Sequence, residues 1–524
     1  MRMWTTSSRP SAKSPMPCSA AENGKNMSTL SSILASDPFS ISKSTTNIDV
    51  LIVGSGTAGV TSAIELARKG LSVVILEAGP FVLPNHVGSS PFRSRGEITP
   101  QIHNLVRYRT AWSDRANYRE DVASPLNNDA WSAVGGRTLF WGGCTPRFSE
   151  WDFGDWPLNY EEFAPYYDHA EALMHVSGRS EQRPPFFRGA AQDTILERLR
   201  GAGIEAEHAS LGVDTQESRN GYVPRGFDCA ADRLLRSGLL SQTVARGRIT
   251  LVPDTLAERV DHNGHAVTGL IARGTQDDRR FRLVARHYAF AGGAIQSTRL
   301  ALASGLKDVH PLVGSHIADH LFIQGLFKLN APVNEPIYTF IPAAENRPYH
   351  IQVQGPFDET WYSPYHATVW LDCNPQGLYL LAYCFGVGEA AKSNEVHMTG
   401  QAGDGPGSMG EYVVLADRTE SDLRILDEMN AFLPQVAQGM GAELVRSQIN
   451  PPGAALHEIG GLRMSAEPGV GVTDTYGRFW SLGNLSVADS AAWPSQGSAN
   501  SYLTITAWSL RHAEGVAAQL EEKA

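Results

Sequence analysis

The apolar strand Val50–Val53 runs directly into Gly54-x-Gly56-x-x-Gly59, and no other stretch restricts the fold of this chain so tightly. The helix that follows carries Val60, Ala63, Ile64 and Ala67 on one face, Gly70 stops it, and a second apolar strand ends at Glu77. Each part has a physical task. Gly54 permits the tight turn, Gly56 lets a pyrophosphate approach the backbone, and Gly59 lets helix and strand pack closely. The helix N-terminus attracts phosphate charge. Glu77, 18 residues after Gly59, can accept hydrogen bonds from an adenosine ribose. The spacing predicts a βαβ unit with a dinucleotide site rather than an ordinary Gly-rich turn, and by itself leaves NAD and FAD open.

At 524 residues the chain can hold two or three domain-sized units. A net charge of −11 argues against nucleic-acid binding, which needs excess Lys and Arg. No apolar run is long enough to span a bilayer. The cluster Arg93, Arg95, Arg107, Arg109, Arg115 and Arg119 is interleaved with Glu97, Asp114, Glu120 and Asp121, which suits a solvated or interdomain face better than an anion site. Five scattered cysteines without a CxxC pair suggest neither a disulfide framework nor zinc, and fit a reducing cytoplasm. Residues 1–47, rich in Ser, Thr, Pro and Asn, lack the apolar core of a secretory signal. They read as a disordered extension or as sequence preceding a start at Met27, with a transit peptide as the alternative.

Residues 81–130 read as an irregular excursion or lid, and 158–176 as a helix after Pro157 that ends at Ser177-Gly178. Short strands follow at Ile249–Val252, Ala266–Ala272 and Phe281–Ala291, punctuated by Asn263-Gly264 and Asp277-Asp278, as a meander and a further strand. Gly292-Gly293-Ala294 opens a helix through Leu302, a second place where a helix N-terminus could meet a phosphate or flavin edge. Residues 321–400 suit an antiparallel sheet, 420–445 a helix, and the chain ends in a helix from Thr504 to Leu520.

Near the C-terminus stand Leu-His457-Glu-Ile-Gly-Gly461-Leu-Arg-Met, then Asn484-Leu-Ser-Val-Ala-Asp489-Ser490-Ala-Ala-Trp-Pro, then Gly-Ser-Ala-Asn500-Ser501-Tyr-Leu-Thr504. With the N-terminal fingerprint, this order resembles the glucose–methanol–choline (GMC) oxidoreductases, FAD-dependent enzymes that oxidise alcohols. Gly461 stands where the family often has Thr, and Ser465 where it has Gly. Trp131 to Gly136 and Trp141 to Phe148 are similar to the family's second Gly-rich signature, closest to the pyranose-oxidase and sugar-dehydrogenase branch. Asp155-Trp156-Pro157-Leu158 points to the same branch. Val313-Gly-Ser-His316-Ile-Ala-Asp319-His320 resembles the family's V-G-x-x-L-x-D-H. Some pyranose oxidases attach FAD through a His just before the Trp of the second signature. Phe140 occupies that place, so the resemblance implies non-covalent FAD.

Alcohol oxidation by hydride transfer needs a base near neutral pH and a polar group that aims the carbinol C–H at the flavin. The resemblance assigns these roles to His457 and Asn500. It places cofactor contacts at Gly54, Gly56, Thr57, Ala58, Gly59, Glu77, Gly135, Gly136, Thr138, Gly142, Gly143, Cys144, Ala257, Gly292, Asp489, Ser490, Ser501 and Thr504. Cys144 reads as a bystander thiol beside the flavin. A zinc-protease reading of His457-Glu458 fails because position 461 is Gly. His316 and His320, without a third ligand, suit a turn or packing role, so no metal is expected.

The implied fold is α/β: a Rossmann-like FAD domain interwoven with a β-sheet-plus-helices substrate domain, in the GMC and p-hydroxybenzoate-hydroxylase-like manner. Residues 48–80, 220–315 and 453–524 would form the first, and 81–219 and 316–452 the second with its lid. Trp361, Tyr362, Tyr365 and Trp370 are candidates for stacking on a sugar, or for core packing. The expected reaction is oxidation of a CH–OH group of a sugar, polyol or glycoside-like natural product. Oxygen or a quinone-type carrier would be the electron acceptor, and the oligomeric state stays open. A flavin-containing lyase of the hydroxynitrile-lyase type, a non-catalytic flavin-binding protein and an NAD-dependent dehydrogenase are the competing readings. The Gly-rich return at the C-terminus speaks against the last.

Overall fold

A computed structural model describes residues 48–87, 132–215, 226–239, 247–356, 378–399, 410 and 412–522. Residues 1–47, the arginine cluster from Arg93 to Arg119, Trp131, and the aromatics Trp361, Tyr362, Tyr365 and Trp370 lie outside the described residues, as do Cys18 and Cys373.

The chain opens with β1 (Ile48–Val53), α1 (Thr57–Arg68) and β2 (Val73–Leu76). Gly70, at φ +91°, closes α1, with Gly70 N donating to Ala67 O and Leu71 N to Leu66 O. Two helices follow, α2 (Tyr160–Leu173) and α3 (Ala190–Gly201). The strand β3 (Ile249–Val252) joins the first sheet, and β4 (Thr255–His262), β5 (Val267–Gly274) and β6 (Arg280–Leu283) form the meander. The run expected as one strand from Phe281 to Ala291 is two, broken at the exposed Val284: β7 (Ala285–Phe290) leaves the meander for the first sheet. Next come α4 (Ala294–Ala303), β8 (Leu321–Leu329), β9 (Ile337–Ile341), β10 (Tyr349–Gly355) and β11 (Tyr379–Gly386). Then α5 (Glu420–Met440), β12 (Ala442–Ile449), β13 (Leu485–Val487) and α6 (Ser501–Glu522) complete it.

The first sheet is all parallel, in the order β13-β7-β1-β2-β3. Its central strands, β1 from Val50 on and β2, are apolar on both faces because both faces are covered. Val50, Ile52, Val73 and Ile75 pack against α1 and the C-terminal half of α6. Leu51, Val74, Leu76 and Phe290 face the meander and a cluster containing Trp493 and Trp508.

The second sheet is antiparallel, in the order β12-β8-β11-β10-β9 with the short strand Glu207–His208 at its far edge. Side chains alternate between its faces. Ile323, Phe327, Ile351, Val353, Ala382 and Cys384 pack under α3 and α5, whose Leu426, Met429, Leu433 and Val436 recur at helical spacing. The opposite parity (Phe322, Tyr338, His350, Gln352, Gln354, Tyr383, Phe385) faces the first sheet and, His350 excepted, lines the cavity described below. The meander and the two sheets thus give the α/β architecture read from the sequence.

Gly59 holds the crossing of β1 and α1 together. A Cβ added there would stand 2.0 Å from Gly54 O and 3.3 Å from Ala291 Cβ. Gly59→Val is expected to destabilise the protein by roughly 3 kcal/mol or more, read as a large fall in the thermal midpoint. An unchanged midpoint would show that the crossing is not close-packed.

Candidate active site

Three helix N-termini converge on one place. Neither α1, preceded by Gly56, nor α4, preceded by Gly293, has a side-chain cap, so their first N–H groups stay available. The N-terminus of α6 begins directly after Asn500. A cavity of ≈ 390 Å³ lies in front of them, at the C-terminal edge of the parallel sheet. Its floor is made by Gly54, Gly56, Thr57, Ala58 and Glu77, and its sides by Gly136, Thr138, Gly142, Gly143, Cys144, Ala257 and Gly292. Asp489, Ser490, Ser501, His457 and Asn500 border it as well.

Three residues of the sequence-derived set do not line it. Gly59 is spent on packing against Gly54. Gly135, at φ +96°, turns the backbone behind the wall. Thr504 Oγ1 is hydrogen-bonded to Tyr167 Oη at 2.9 Å, on a different side of α6.

The donor set suits a phosphate-bearing cofactor. A Cβ on Gly56 would meet no heavy atom of the described residues within 4 Å, so open space lies where the fingerprint puts a pyrophosphate. Glu77 is buried and its carboxylate pKa is raised by that burial. Its Oε2 accepts from Ser55 N at 3.0 Å and Ser55 Oγ at 2.7 Å, and its Oε1 from Gly79 N at 3.0 Å. The acid therefore shapes the Gly-rich turn while bordering the cavity. Asp489 Oδ2 accepts from Gly293 N at 2.8 Å and Ser297 Oγ at 2.6 Å, tying the end of β13 to the start of α4. Ser501 Oγ borders the cavity, buried without a hydrogen-bond partner among the described residues. Burial pushes the Cys144 thiol far up, so it stays protonated, as a bystander would.

His457 sits on a loop held from several sides. Asp319 accepts from Ala455 N at 3.2 Å and His457 N at 2.9 Å. Arg137 donates to Leu456 O at 3.0 Å and Glu458 Oε1 at 2.9 Å, bracketing the histidine, and Ser490 Oγ donates to Glu458 O at 2.8 Å. Leu456 is left-handed, with φ +61°. Burial, with lesser pushes from His350 and Arg137, lowers the His457 pKa to about 3, so the ring is neutral near pH 7. Burial alone dominates at His350 too, which is lowered to about 4. Asp319 is raised by burial and by the charge of Glu458.

Around the pair lie residues that sequence reading missed or misjudged. His320 Nδ1 is 3.1 Å from His457 Nδ1, and Gln352 Nε2 is 2.6 Å from Asn500 Oδ1. His320 was expected in a turn or packing role; it contacts the candidate base directly. The V-G-x-x-x-x-D-H run carried that signal, since Asp319 holds the loop and His320 the ring. Gln352, Tyr338 and Arg137 belong to no spacing pattern that could have singled them out. Gly461 also finds its reason here. At φ +95° a Cβ would stand 2.0 Å from Thr298 Oγ1, so Thr298 fills the volume that a Thr at 461 would take. Among the described residues no group of three or more His, Cys, Asp or Glu is placed to hold a metal, and no helix is long and apolar enough to cross a membrane.

Sequence comparison matches the GMC oxidoreductase family over residues 48–322 for its N-terminal part and 422–509 for its C-terminal part. The chain belongs to the GMC oxidoreductases. Like other members it is an oxidoreductase acting on CH–OH donors, in a family that typically binds FAD. Its relatives include 2-methyl-1,2-propanediol dehydrogenase of Mycolicibacterium austroafricanum, 25% identical over 88% of this chain and 94% of that protein. Another is 6'''-hydroxyparomomycin C oxidase of Streptomyces lividus, 27% identical over 90% of this chain and 92% of that one. Among solved structures, pyridoxine 4-oxidase from Mesorbium loti superposes with a TM-score of 0.62 at 16% identity, over 90% of this chain and 99% of that one, and supports the GMC fold.

Because the space before Gly56 is open, Gly56→Val is expected to fold with a near-native thermal midpoint and to purify with little flavin absorbance. A fully yellow variant would show that no phosphate lies against this turn.

Proposed function

We propose that this GMC oxidoreductase oxidises a CH–OH group of a sugar, polyol or glycoside-like natural product. His457 is the base and Asn500 the residue that orients the hydroxyl. The observation that carries this is a neutral, half-buried imidazole and a carboxamide that both line one cavity walled by Gly-rich turns and helix N-termini.

FAD bound here would supply the acceptor for the hydride of the carbinol carbon, with oxygen or a quinone-type carrier as the acceptor of its electrons. The chain's own residues do the rest. Gly54, Gly56, Thr57 and Ala58 would receive the pyrophosphate, and Glu77 the adenosine ribose. The imidazole of His457 takes the hydroxyl proton, and the carbonyl forms as the C–H bond breaks. Asn500 hydrogen-bonds the substrate oxygen and limits its rotation, which is how positioning lowers the barrier. The roof formed by Phe322, Tyr383 and Phe385 offers an apolar face, with Phe322 and Phe385 stacked at 4.6 Å, while Gln352, Gln354 and Tyr338 offer polar edges. A polyhydroxylated ring has that same pair of surfaces.

The FAD is held non-covalently in this reading. Phe140, at the position that carries the linking His in some relatives by sequence resemblance, is fully buried and has no nucleophilic atom. Acid precipitation is therefore expected to release the yellow colour into the supernatant; colour that stays with the pellet would overturn this. His457→Asn is expected to keep bound FAD but to reduce it about 10²–10⁴ times more slowly under alcohol without oxygen. Reduction of that variant at the wild-type rate would remove His457 as the base.

A further inference from the structure

Oxidising an alcohol requires opposite polarities from the two groups that meet its hydroxyl. One must accept the proton, and the other must donate a hydrogen bond to the oxygen. Neither an imidazole nor a carboxamide has this polarity by itself: a neutral ring carries its proton on either nitrogen, and an amide has two possible orientations.

We propose that two neighbouring backbone carbonyls, Gly497 and Ser498, set both polarities through His320 and through His350 with Gln352. They leave His457 Nε2 as a bare acceptor and Asn500 Nδ2 as a donor toward the substrate. This rests on the reading of His457 and Asn500 as the reacting pair.

The first path runs from Gly497. His320 Nε2 is 2.8 Å from Gly497 O, and a carbonyl only accepts, so this nitrogen carries the proton. The His320 ring is buried and neutral, so its Nδ1 is a lone pair. Gln496 Nε2 approaches that lone pair at 2.6 Å, and His457 Nδ1 at 3.1 Å. The one lone pair is shared by two donors, Gln496 at the shorter distance, and a second lone pair on His457 Nδ1 would be repelled there, so His457 Nδ1 holds the proton. The other nitrogen of His457 is left bare.

The second path starts one residue later. His350 Nδ1 is 2.7 Å from Ser498 O and so carries its proton, which leaves His350 Nε2 as an acceptor. Gln352 Nε2 donates to that lone pair at 2.9 Å, which fixes the amide orientation and leaves Gln352 Oε1 to accept from Tyr338 Oη at 2.7 Å. The second N–H of Gln352 points at Asn500 Oδ1, 2.6 Å away. With that oxygen occupied, Asn500 offers its N–H groups elsewhere. Both paths start in one segment, pinned where Ser498 N and Ser498 Oγ donate to Asp152 at 2.9 and 2.8 Å.

His320, His350 and Gln352 are positioning residues in this account. The test is a tautomer measurement on the holoenzyme with ¹⁵N-labelled imidazoles, each signal assigned from its own His→Asn variant. The expected pattern is protonated Nε2 in His320 and protonated Nδ1 in His350 and His457. Protonated Nε2 in wild-type His457 would overturn the proposal. This reading needs no substrate, so it stands or falls separately from the proposed reaction.

Kinetics add a second discriminator. His320→Asn keeps an acceptor near the old Nδ1, whereas His320→Gln keeps only a group near Nε2. Flavin reduction at saturating alcohol is expected to stay within about 10-fold of wild type for His320→Asn and to fall about 100-fold for His320→Gln, with the substrate affinities similar. Equal rates in the two variants would mean that His320 only packs.

Discussion

Three backbones meet at van der Waals distance where β1 ends. A Cβ on Gly54 would stand 2.3 Å from Ala291 O, and one on Gly59 2.0 Å from Gly54 O. This contact draws α1 and α4 together at the edge of the parallel sheet, and both helices open toward the same cavity. The dipole of each helix and its unsatisfied N–H groups then act on one region instead of two. Any larger residue at this crossing would splay the helices and dissolve the cavity floor.

The two groups proposed to react come from separate parts of the chain and border that cavity. His457 comes from the loop that follows β12, and Asn500 from the residue before α6. What keeps them in register is polar rather than apolar. Asp319 and Arg137 hold the His457 loop by its backbone, and Gln352 reaches Asn500 from the second sheet. The sheet therefore does two jobs through its alternation: one face packs under α3 and α5, and the other presents side chains to the cavity. Burial raises the energy of charge here, which keeps three histidines neutral and makes each hydrogen bond directional.

The parts legible in the sequence were those where local chemistry and global fold agree. The β1-α1-β2 unit combines an apolar strand, a glycine pattern and an amphipathic helix, and it forms as read. The helix after Gly292-Gly293 does likewise. The strand β4 escaped notice because Glu258 and Arg259 interrupt its apolar pattern; Glu258 is buried against Arg273 at 3.0 Å, an ion pair that only the fold reveals. The strand β12 escaped for a different reason, its first residues being read into the helix expected over 420–445, which ends at Met440. It is a solvent-facing edge with Glu443, Arg446, Ser447 and Gln448 exposed, so it has no alternation to detect. In the site, motif positions such as His457 and Asp489 were readable, whereas Gln352 was not. Its importance lies in a hydrogen bond to Asn500, 148 positions away in the chain.

The most direct test of alcohol oxidation at this cavity is the visible spectrum of the purified wild-type protein under a panel of sugars, polyols and glycosides without oxygen, followed by air or a quinone. The expected result is a flavin band that one class of alcohol bleaches and that an acceptor restores. A flavin band that no alcohol changes, or a protein without colour, would contradict it.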